Sequence, residues 1–377
     1  MSPLLVLATV VLLLVVAAAL TLERWRDALR SEEPASTDPG SVTVSVVVPV
    51  RDGEETIVPL LQDLYAQDHP QAGLEVIVVD DHSTDRTAAR VRDMMPRWPR
   101  LQLVSLTSTS GKKAAITEGV AHASGDLVVL TDADARCGPQ RIRRLAGCWA
   151  AQRPAILLAP VRTMAGPGLL GLLQQEEQWA LQAATGGSAL SGSPVLANGA
   201  NLAFRREDFE RVGGYRGDAR PSGDDVYLLA RMRAAGLKAA YVLHPEVAVT
   251  VEGEPTWGGW WAQRLRWAGK MRDTRLKGAW PAAMVVLAMP WMLVVLTARA
   301  MDLQVGQQVL YTWCMVLAAW ALWSLPVVRL VNAMKAVYGE PPRSARSVLV
   351  LLCFVVYAPL VALVALFHRP RWKGRPT

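Results

Sequence analysis

Apolar and polar positions divide the chain into two regimes. Residues 3–22 run PLLVLATVVLLLVVAAALTL without a charge, close to the ~20 apolar residues that span a bilayer. Three further apolar blocks lie near residues 281–298, 309–328 and 347–367. Between the first block and the second lie about 255 residues of mixed polarity. There the period changes to short apolar runs alternating with helical spacing. Residues 45–49 (SVVVP), 74–80 (LEVIVVD), 101–106 and 126–131 read as strands, and residues 54–67 place Ile57, Leu60, Leu61 and Leu64 on one helical stripe. Helices are expected from Thr84-Asp85-Arg86 through Met95 and over residues 112–122. Such β-α-β-α alternation predicts an α/β fold with a parallel sheet covered on both faces. Its ligands belong at the C-terminal ends of the strands, near a switch in strand order.

The second half of this region is less regular. Residues 156–161 read as a strand, 169–184 as a helix, 196–204 (LANGANLAF) as a strand broken by a tight turn, 224–235 as a helix and 239–243 as a strand. Residues 255–275 are amphipathic and carry Trp257, Trp260, Trp261 and Trp267 among arginines, which predicts a helix lying in the membrane interface. The predicted organisation is an anchor over 1–22, a Pro/Ser/Asp-bearing linker over 23–43, a catalytic domain over 44–252, an interface helix over 253–278, about three membrane helices over 279–368 and a basic tail over 369–377. No internal repeat is visible.

Composition then narrows the partners. The net charge of +7 would suit nucleic acid, but the basic residues crowd the membrane flanks: Arg264, Arg266, Lys270, Arg272, Arg275 and Lys277, then the tail from Arg369 to Arg375. Charges so placed face anionic lipid headgroups, so membrane lipids and not nucleic acid are the expected partner. Four scattered cysteines, Cys137, Cys148, Cys314 and Cys353, lack metal spacing and read as free thiols of a reducing compartment. Ala17-Ala-Ala19 resembles a signal cleavage site, but no positive charge precedes the first block, whereas Arg24, Arg26 and Arg30 follow it. That asymmetry predicts a retained anchor, a multi-pass protein of the cell membrane and a cytoplasmic catalytic domain. Three full C-terminal spans would then put the basic tail outside. Either one block is re-entrant or interfacial, with 281–298 and its Pro281 and Pro290 the candidate, or the tail breaks the rule.

The candidate chemistry sits at strand ends. One strand ends on Asp80-Asp81, and another on Thr131-Asp132-Ala133-Asp134. Two carboxylates one pleat apart repel unless a cation is present or one is protonated. Hard oxygen ligands suit Mg2+ or Mn2+, which take one or two carboxylates plus substrate phosphates. Capping of the helix that begins near Pro139 is the competing role for either aspartate, as an Asx-turn is for Asp80 and Asp81. Of the five histidines, only His244, just after a strand, is placed where a metal ligand could stand, and a surface or core role competes.

The segments PVRDGEET (49–56), VVDDHSTDRT (78–87), GKKAAI (111–116), LTDADA (130–135), GDDVYLL (223–229) and QRLRW (263–267) occur in this order. Together they resemble glycosyltransferase family 2 on a GT-A fold, over roughly residues 44–270, and are similar to membrane enzymes such as ceramide glucosyltransferases and cellulose, chitin and hyaluronan synthases. The resemblance implies an inverting transfer from a nucleotide diphosphate sugar, a UDP-sugar, to a lipid or glycan acceptor, dependent on Mg2+ or Mn2+. By resemblance Pro49, Arg51, Val79, Asp80 and Asp81 would hold the nucleoside, with Asp81 on uracil. Lys112 would approach the diphosphate. Asp134 would bind the metal, and Asp132 would touch metal and sugar. Asp225 would be the general base beside Asp224. Gln263, Arg266 and Trp267 match Q-x-x-R-W, with Arg266 on the diphosphate and Trp267 beneath the sugar. Asn198 to Asn201 resembles a loop near the acceptor, and Gly53 stands where many relatives carry glutamate. A processive polysaccharide synthase and a catalytically inactive membrane-tethered sugar-nucleotide or glycan binder are the competing functions; the latter predicts losses at the acidic positions, which are all present.

Overall fold

A computed structural model describes residues 3–31, 38–70, 73–218, 223–272, 289–301, 307–367, 371–372 and 375–376. Helix α1 (Pro3–Ser31) leads into strand β1 (Val44–Val50), whose VSVVVPV sequence is buried almost throughout. Then follow α2 (Ile57–Tyr65), β2 (Leu74–Asp80), α3 (Thr87–Met94), β3 (Leu101–Ser105), α4 (Lys112–His122) and β4 (Leu127–Leu130). β1 pairs in parallel with β2 on one side and β4 on the other, Val47 lying opposite both Ile77 and Leu130. The chain therefore winds outward from β1 to β3 and returns to β1's other flank with β4. The crevice beyond β1 and β4 is the switch point at which an open α/β sheet receives its ligand.

Burial on both faces follows from β1's side-chain alternation. Val44, Val46, Val48 and Val50 pack with α2 and with α5 (Arg141–Gln152) through Ile57, Leu60, Leu61, Ile142 and Leu145. Val47 faces the opposite layer, with Ile116 of α4 and Leu228. Gly119 allows α4 to sit on the sheet, since a Cβ there would stand 2.4 Å from Val47 Cγ1.

The remaining elements are β5 (Arg136–Cys137), β6 (Ile156–Leu158), β7 (Val161–Met164), α6 (Gly168–Leu190), β8 (Leu202–Arg205), α7 (Arg206–Arg211), α8 (Asp224–Ala234), β9 (Ala239–Tyr241), β10 (Val249–Glu252) and α9 (Trp257–Arg272). They complete a seven-stranded sheet of order β3-β2-β1-β4-β8-β6-β9, with β8 antiparallel to its neighbours, and a three-stranded sheet of order β5-β10-β7. The strand expected over 156–161 is thus divided between two sheets. Pro160 has no N–H to continue the ladder, and its carbonyl accepts instead from Asn201 Nδ2 at 2.7 Å and Val249 N at 3.2 Å. In LANGANLAF only the end is strand. Residues 196–201 form a loop turned by Asn198, whose Oδ1 accepts from Ala200 N at 3.1 Å.

Helices α10 (Met289–Met301), α11 (Gln307–Val337) and α12 (Ser344–Phe367) follow. Among the described residues, Val309–Val337 and Ser344–Phe367 are long and apolar enough to cross a membrane. Residues 281–288, including Pro281, lie outside the described residues, as does most of the basic tail. Val11, Val15 and Ala18 of α1 pack with Met289, Leu293, Ala319, Trp323 and Val355 of the C-terminal helices. In α9, Trp257 is exposed while the following turns are covered by protein. Trp260, Arg264 and Leu265 are buried, and Leu265 packs on Val361 and Ala365 of α12, so the helix is wedged between the sheet region and the bundle.

Candidate active site

The rim of the sheet is built by two interlaced loops after β1 and β2. Asp52 N donates to Ser83 Oγ (2.9 Å), Gly53 N to Thr87 Oγ1 (2.8 Å) and Glu54 N to Asp85 Oδ2 (3.0 Å). In return Thr84 N donates to Asp52 Oδ1 (2.8 Å) and Arg86 N to Glu54 Oε2 (2.9 Å). Glu54 thus ties the loop after β1 to the loop after β2. Pro49, Arg51 and Asp81 line the cavity beyond this rim. Asp81 is fixed by accepting from Gly111 N at 3.0 Å, just before α4. Val79 and Asp80 are not on that wall. Strand alternation sends Val79 into the core against α4, and Asp80 accepts from Ser83 N at 3.1 Å to close its own turn.

Lys112, the first residue of α4, carries the charge logic of the site. A cation at a helix N-terminus is disfavoured by the backbone dipole, so acidic neighbours hold it there. Its Nζ lies 2.6 Å from Asp132 Oδ1 and 3.2 Å from Asp224 Oδ2. Burial alone would lower its pKa, but Asp132 and Asp224 outweigh burial and raise it above the ordinary lysine value. Asp224 and Asp225 occupy the first turn of α8, where the dipole favours carboxylates. Burial pushes Asp224 up, and the charges of Lys112 and Lys270 reverse this to a net lowering. Asp225 meets Lys270 Nζ at 3.4 and 3.5 Å. A line of alternating charge therefore runs from Asp132 through Lys112 and Asp224-Asp225 to Lys270. The 196–201 loop presses against it: a Cβ at Gly199 would stand 2.4 Å from Asp224 Oδ2.

From the opposite wall α9 presents Gln263, Arg266, Trp267 and Lys270 to the same cavity, spaced i, i+3, i+4 and i+7 on one face. Gln263 Nε2 donates to Glu254 Oε1 at 3.1 Å. Burial lowers the pKa of Arg266, opposed by Glu254, Asp132, Asp134 and Asp224. Arg264 also lines the cavity, pairing with Glu177, donating to Gln263 Oε1 and lying 4.5 Å from the Trp267 ring centroid. Arg264 and Lys270, expected on lipid headgroups, are instead engaged by Glu177 and Asp225, because α9 is covered on both sides.

The cavity, of about 1900 Å³, exceeds the usual range for a small-ligand site and continues past the acidic residues. Its far end is apolar, lined by Leu14 and Ala18 of α1, Val331 of α11, and Leu351, Phe354 and Leu366 of α12. Carboxylates of α6 mark the transition. Glu176 pairs with Lys335 Nζ at 2.7 Å and accepts from Ser347 Oγ at 2.7 Å; Glu177 accepts from Tyr357 OH and from Trp260 Nε1 at 3.2 Å. Sequence reading passed over these residues; the available signal was a pair of carboxylates in an apolar helix and a lone Lys335 within another. Of the Asn198–Asn201 segment, Asn198 lines the cavity, while Asn201 is buried and accepts from Arg141 Nε and Nη2 at 3.1 and 3.0 Å. His244 accepts from Glu246 N at 3.2 Å, capping a short 3-10 turn away from the cavity.

No group of three His, Cys, Asp or Glu side chains able to hold a metal occurs among the described residues. Asp132 and Asp134 nevertheless suit a hard cation completed by phosphates. They supply oxygen donors on one cavity wall, and Asp132 already holds a cation, the Lys112 ammonium, at 2.6 Å.

Comparison with known proteins decides the family: residues 5–375 match glycosyl transferase family 21. The chain belongs to that family. It is thus a glycosyltransferase, and its fold is GT-A. A mannosyltransferase of Pyrobaculum calidifontis, solved in complex with GDP-Man and Mn2+, superposes with a TM-score of 0.60 at 26% identity, covering 89% of this chain and 100% of that one. The beta-monoglucosyldiacylglycerol synthase of Synechocystis sp. is 30% identical over 60% of this chain and 47% of its own length. A probable glycosyltransferase of Bacillus subtilis is 29% identical over 60% of this chain and 54% of its own. The chain spans about half the length of these two curated relatives.

Proposed function

We propose that this family 21 enzyme is a membrane-bound inverting glycosyltransferase that moves a sugar from a UDP-sugar to a lipid acceptor at the cytoplasmic face. One observation carries the reading: a single cavity joins the charged rim of the sheet to the apolar groove of the helix bundle. A lipid entering from the bundle would bring its head to the acids while its chains stay among apolar side chains. The glucosyldiacylglycerol synthase among the relatives supports a lipid acceptor, and the mannosyltransferase's GDP-Man and Mn2+ support a nucleotide-sugar donor and a divalent metal.

In this reading Pro49, Arg51 and Asp81 receive the nucleoside. Asp134 and Asp132 would hold Mg2+ or Mn2+, which supplies charge neutralisation at the diphosphate. Lys112 and Arg266 add positive charge on the same side, where it is needed as the leaving group departs. Trp267 offers a flat apolar face to the sugar. Asp225, in the first turn of α8, takes the proton of the acceptor hydroxyl as that oxygen attacks C1 opposite the diphosphate. The anchor, catalytic region and C-terminal helices form a multi-pass protein.

The test is turnover in native membranes with radiolabelled UDP-sugars and GDP-sugars, with Mn2+ or Mg2+, followed by organic extraction. Label in the lipid fraction is expected; label in an insoluble polymer would instead establish a polysaccharide synthase. Asp225→Asn is expected to retain donor binding and lose about 10²–10⁴-fold in turnover. Normal turnover by that variant would remove Asp225 from the base role. Asp134→Ala is expected to weaken the metal-dependent component of UDP binding.

A further inference from the structure

Adjacent carboxylates at the start of α8 pose an electrostatic problem for a base. Asp224 and Asp225 are both buried, and two carboxylates in one site do not both ionise unless each has a counter-charge. Lys112 answers Asp224 at 3.2 Å. The group answering Asp225 is Lys270, which approaches its two oxygens almost equally, at 3.5 and 3.4 Å.

Lys270 reaches Asp225 from α9. It stands seven residues after Gln263 and three after Trp267, so it extends the Gln263–Arg266–Trp267 face by one helical turn. The residues that match Q-x-x-R-W line the sugar side of the cavity, and the next turn of the same face lands on the acceptor-side acid. α9 and α8 are also joined where Tyr227 OH meets the Lys270 carbonyl at 3.5 Å.

We propose that Lys270 is a positioning residue for transfer: its ammonium holds the Asp225 carboxylate oriented toward the acceptor while leaving the donor subsite untouched. The geometry suits that task. At 3.4 Å the contact is longer than the ~2.7–2.9 Å of a tight charge-assisted hydrogen bond, so Asp225 is steadied without being sequestered. The same ammonium helps depress Asp224, so its field covers the whole dipeptide. The inference rests on Asp225 being the base.

The experiment is steady-state kinetics of Lys270→Met and Lys270→Arg, full length in lipid nanodiscs, alongside Asp225→Asn, with melting temperature and UDP affinity in Mn2+ measured on each. Lys270→Met is expected to lose about 10–100-fold in kcat, within the ~10²–10⁴ that a general base supplies, at unchanged donor KM and UDP affinity. Lys270→Arg, which keeps the charge, is expected to recover most of the loss. A Lys270→Met enzyme with wild-type kcat overturns the inference. A loss of kcat that Arg does not restore, or one matched by a raised donor KM, overturns it too. If Asp225→Asn itself turns over normally, the base assignment fails instead, and the two failures remain distinct.

Discussion

Replacing Gly199 by alanine tests the packing of the acid cluster with a single methyl group. The added Cβ would lie 2.4 Å from Asp224 Oδ2, about 1 Å inside the 3.4 Å at which ordinary contact begins, and 3.3 Å from Lys112 Nζ. Asp224 is short, and its Oδ2 is already 3.2 Å from Lys112. A retreat of about 1 Å by the carboxylate carries it out of ion-pair range, and a retreat by the 196–201 loop disturbs Asn198 and Asn201. Overpacking of this kind costs about 1–3 kcal/mol, and each kcal/mol lowers the melting temperature by about 2–4 °C in a domain of this size. Turnover should suffer more, since a ~1 Å displacement of a positioned group is enough for ~10²-fold. The assay pairs thermal melting in nanodiscs with sugar transfer, and Gly258→Ala serves as control: Gly258 is exposed near the start of α9, and its Cβ would meet open space. The control should melt as the parent or slightly higher, by up to about 1 kcal/mol. A Gly199→Ala protein that melts and turns over like the parent would refute the arrangement of Gly199, Asp224 and Lys112.

Two further perturbations bear on the same region. Asp224, lowered from 3.8, contributes stability above that value that is lost as pH falls through its folded pKa; Lys112, raised from 10.5, contributes stability below that value that is lost as pH rises through its own. The pair should therefore act at full strength between about pH 5 and 9. Lys112→Met leaves burial as the dominant influence on Asp224 and raises its pKa. The variant's melting deficit should be largest at neutral pH, below the ~3–5 kcal/mol of a wholly unpaired buried charge because Lys270 still faces Asp224, and should shrink on acidification; a deficit independent of pH would contradict this. Asn201→Ala leaves the fully buried Arg141 guanidinium only the Leu130 carbonyl as oxygen acceptor and should cost about 3 kcal/mol in denaturant unfolding, with Asn201→Asp losing less, and a loss under about 1 kcal/mol would count against the role given to Asn201.

The first half of the sheet was legible in the sequence because its determinants are local. The valines of β1 and the LEVIVVD run of β2 can only be buried strands, and a strand that stops on Asp132 and Asp134 announces a rim. Legibility falls where long-range contacts decide. Pro160 marks a break in the ladder of residues 156–161, but that the run passes from one sheet to another depends on Asn201, about forty positions away. The loop nature of residues 196–201 follows from its need to lie on Asp224. The partners of Arg264 and Lys270 in α9 were equally hidden, because Glu177 and Asp225 lie far away in the sequence.

The carboxylates of α6 have a consequence for how the protein is built. Glu176 is neutralised by Lys335 and Ser347, and Glu177 is hydrogen-bonded by Tyr357, all three donated by the C-terminal helices. Removing the C-terminal helices would strip those donors, leaving Glu176 without its cation while Glu177 keeps Arg264 and Trp260 of α9. The C-terminal helices therefore brace the wall of the cavity as well as packing on one another.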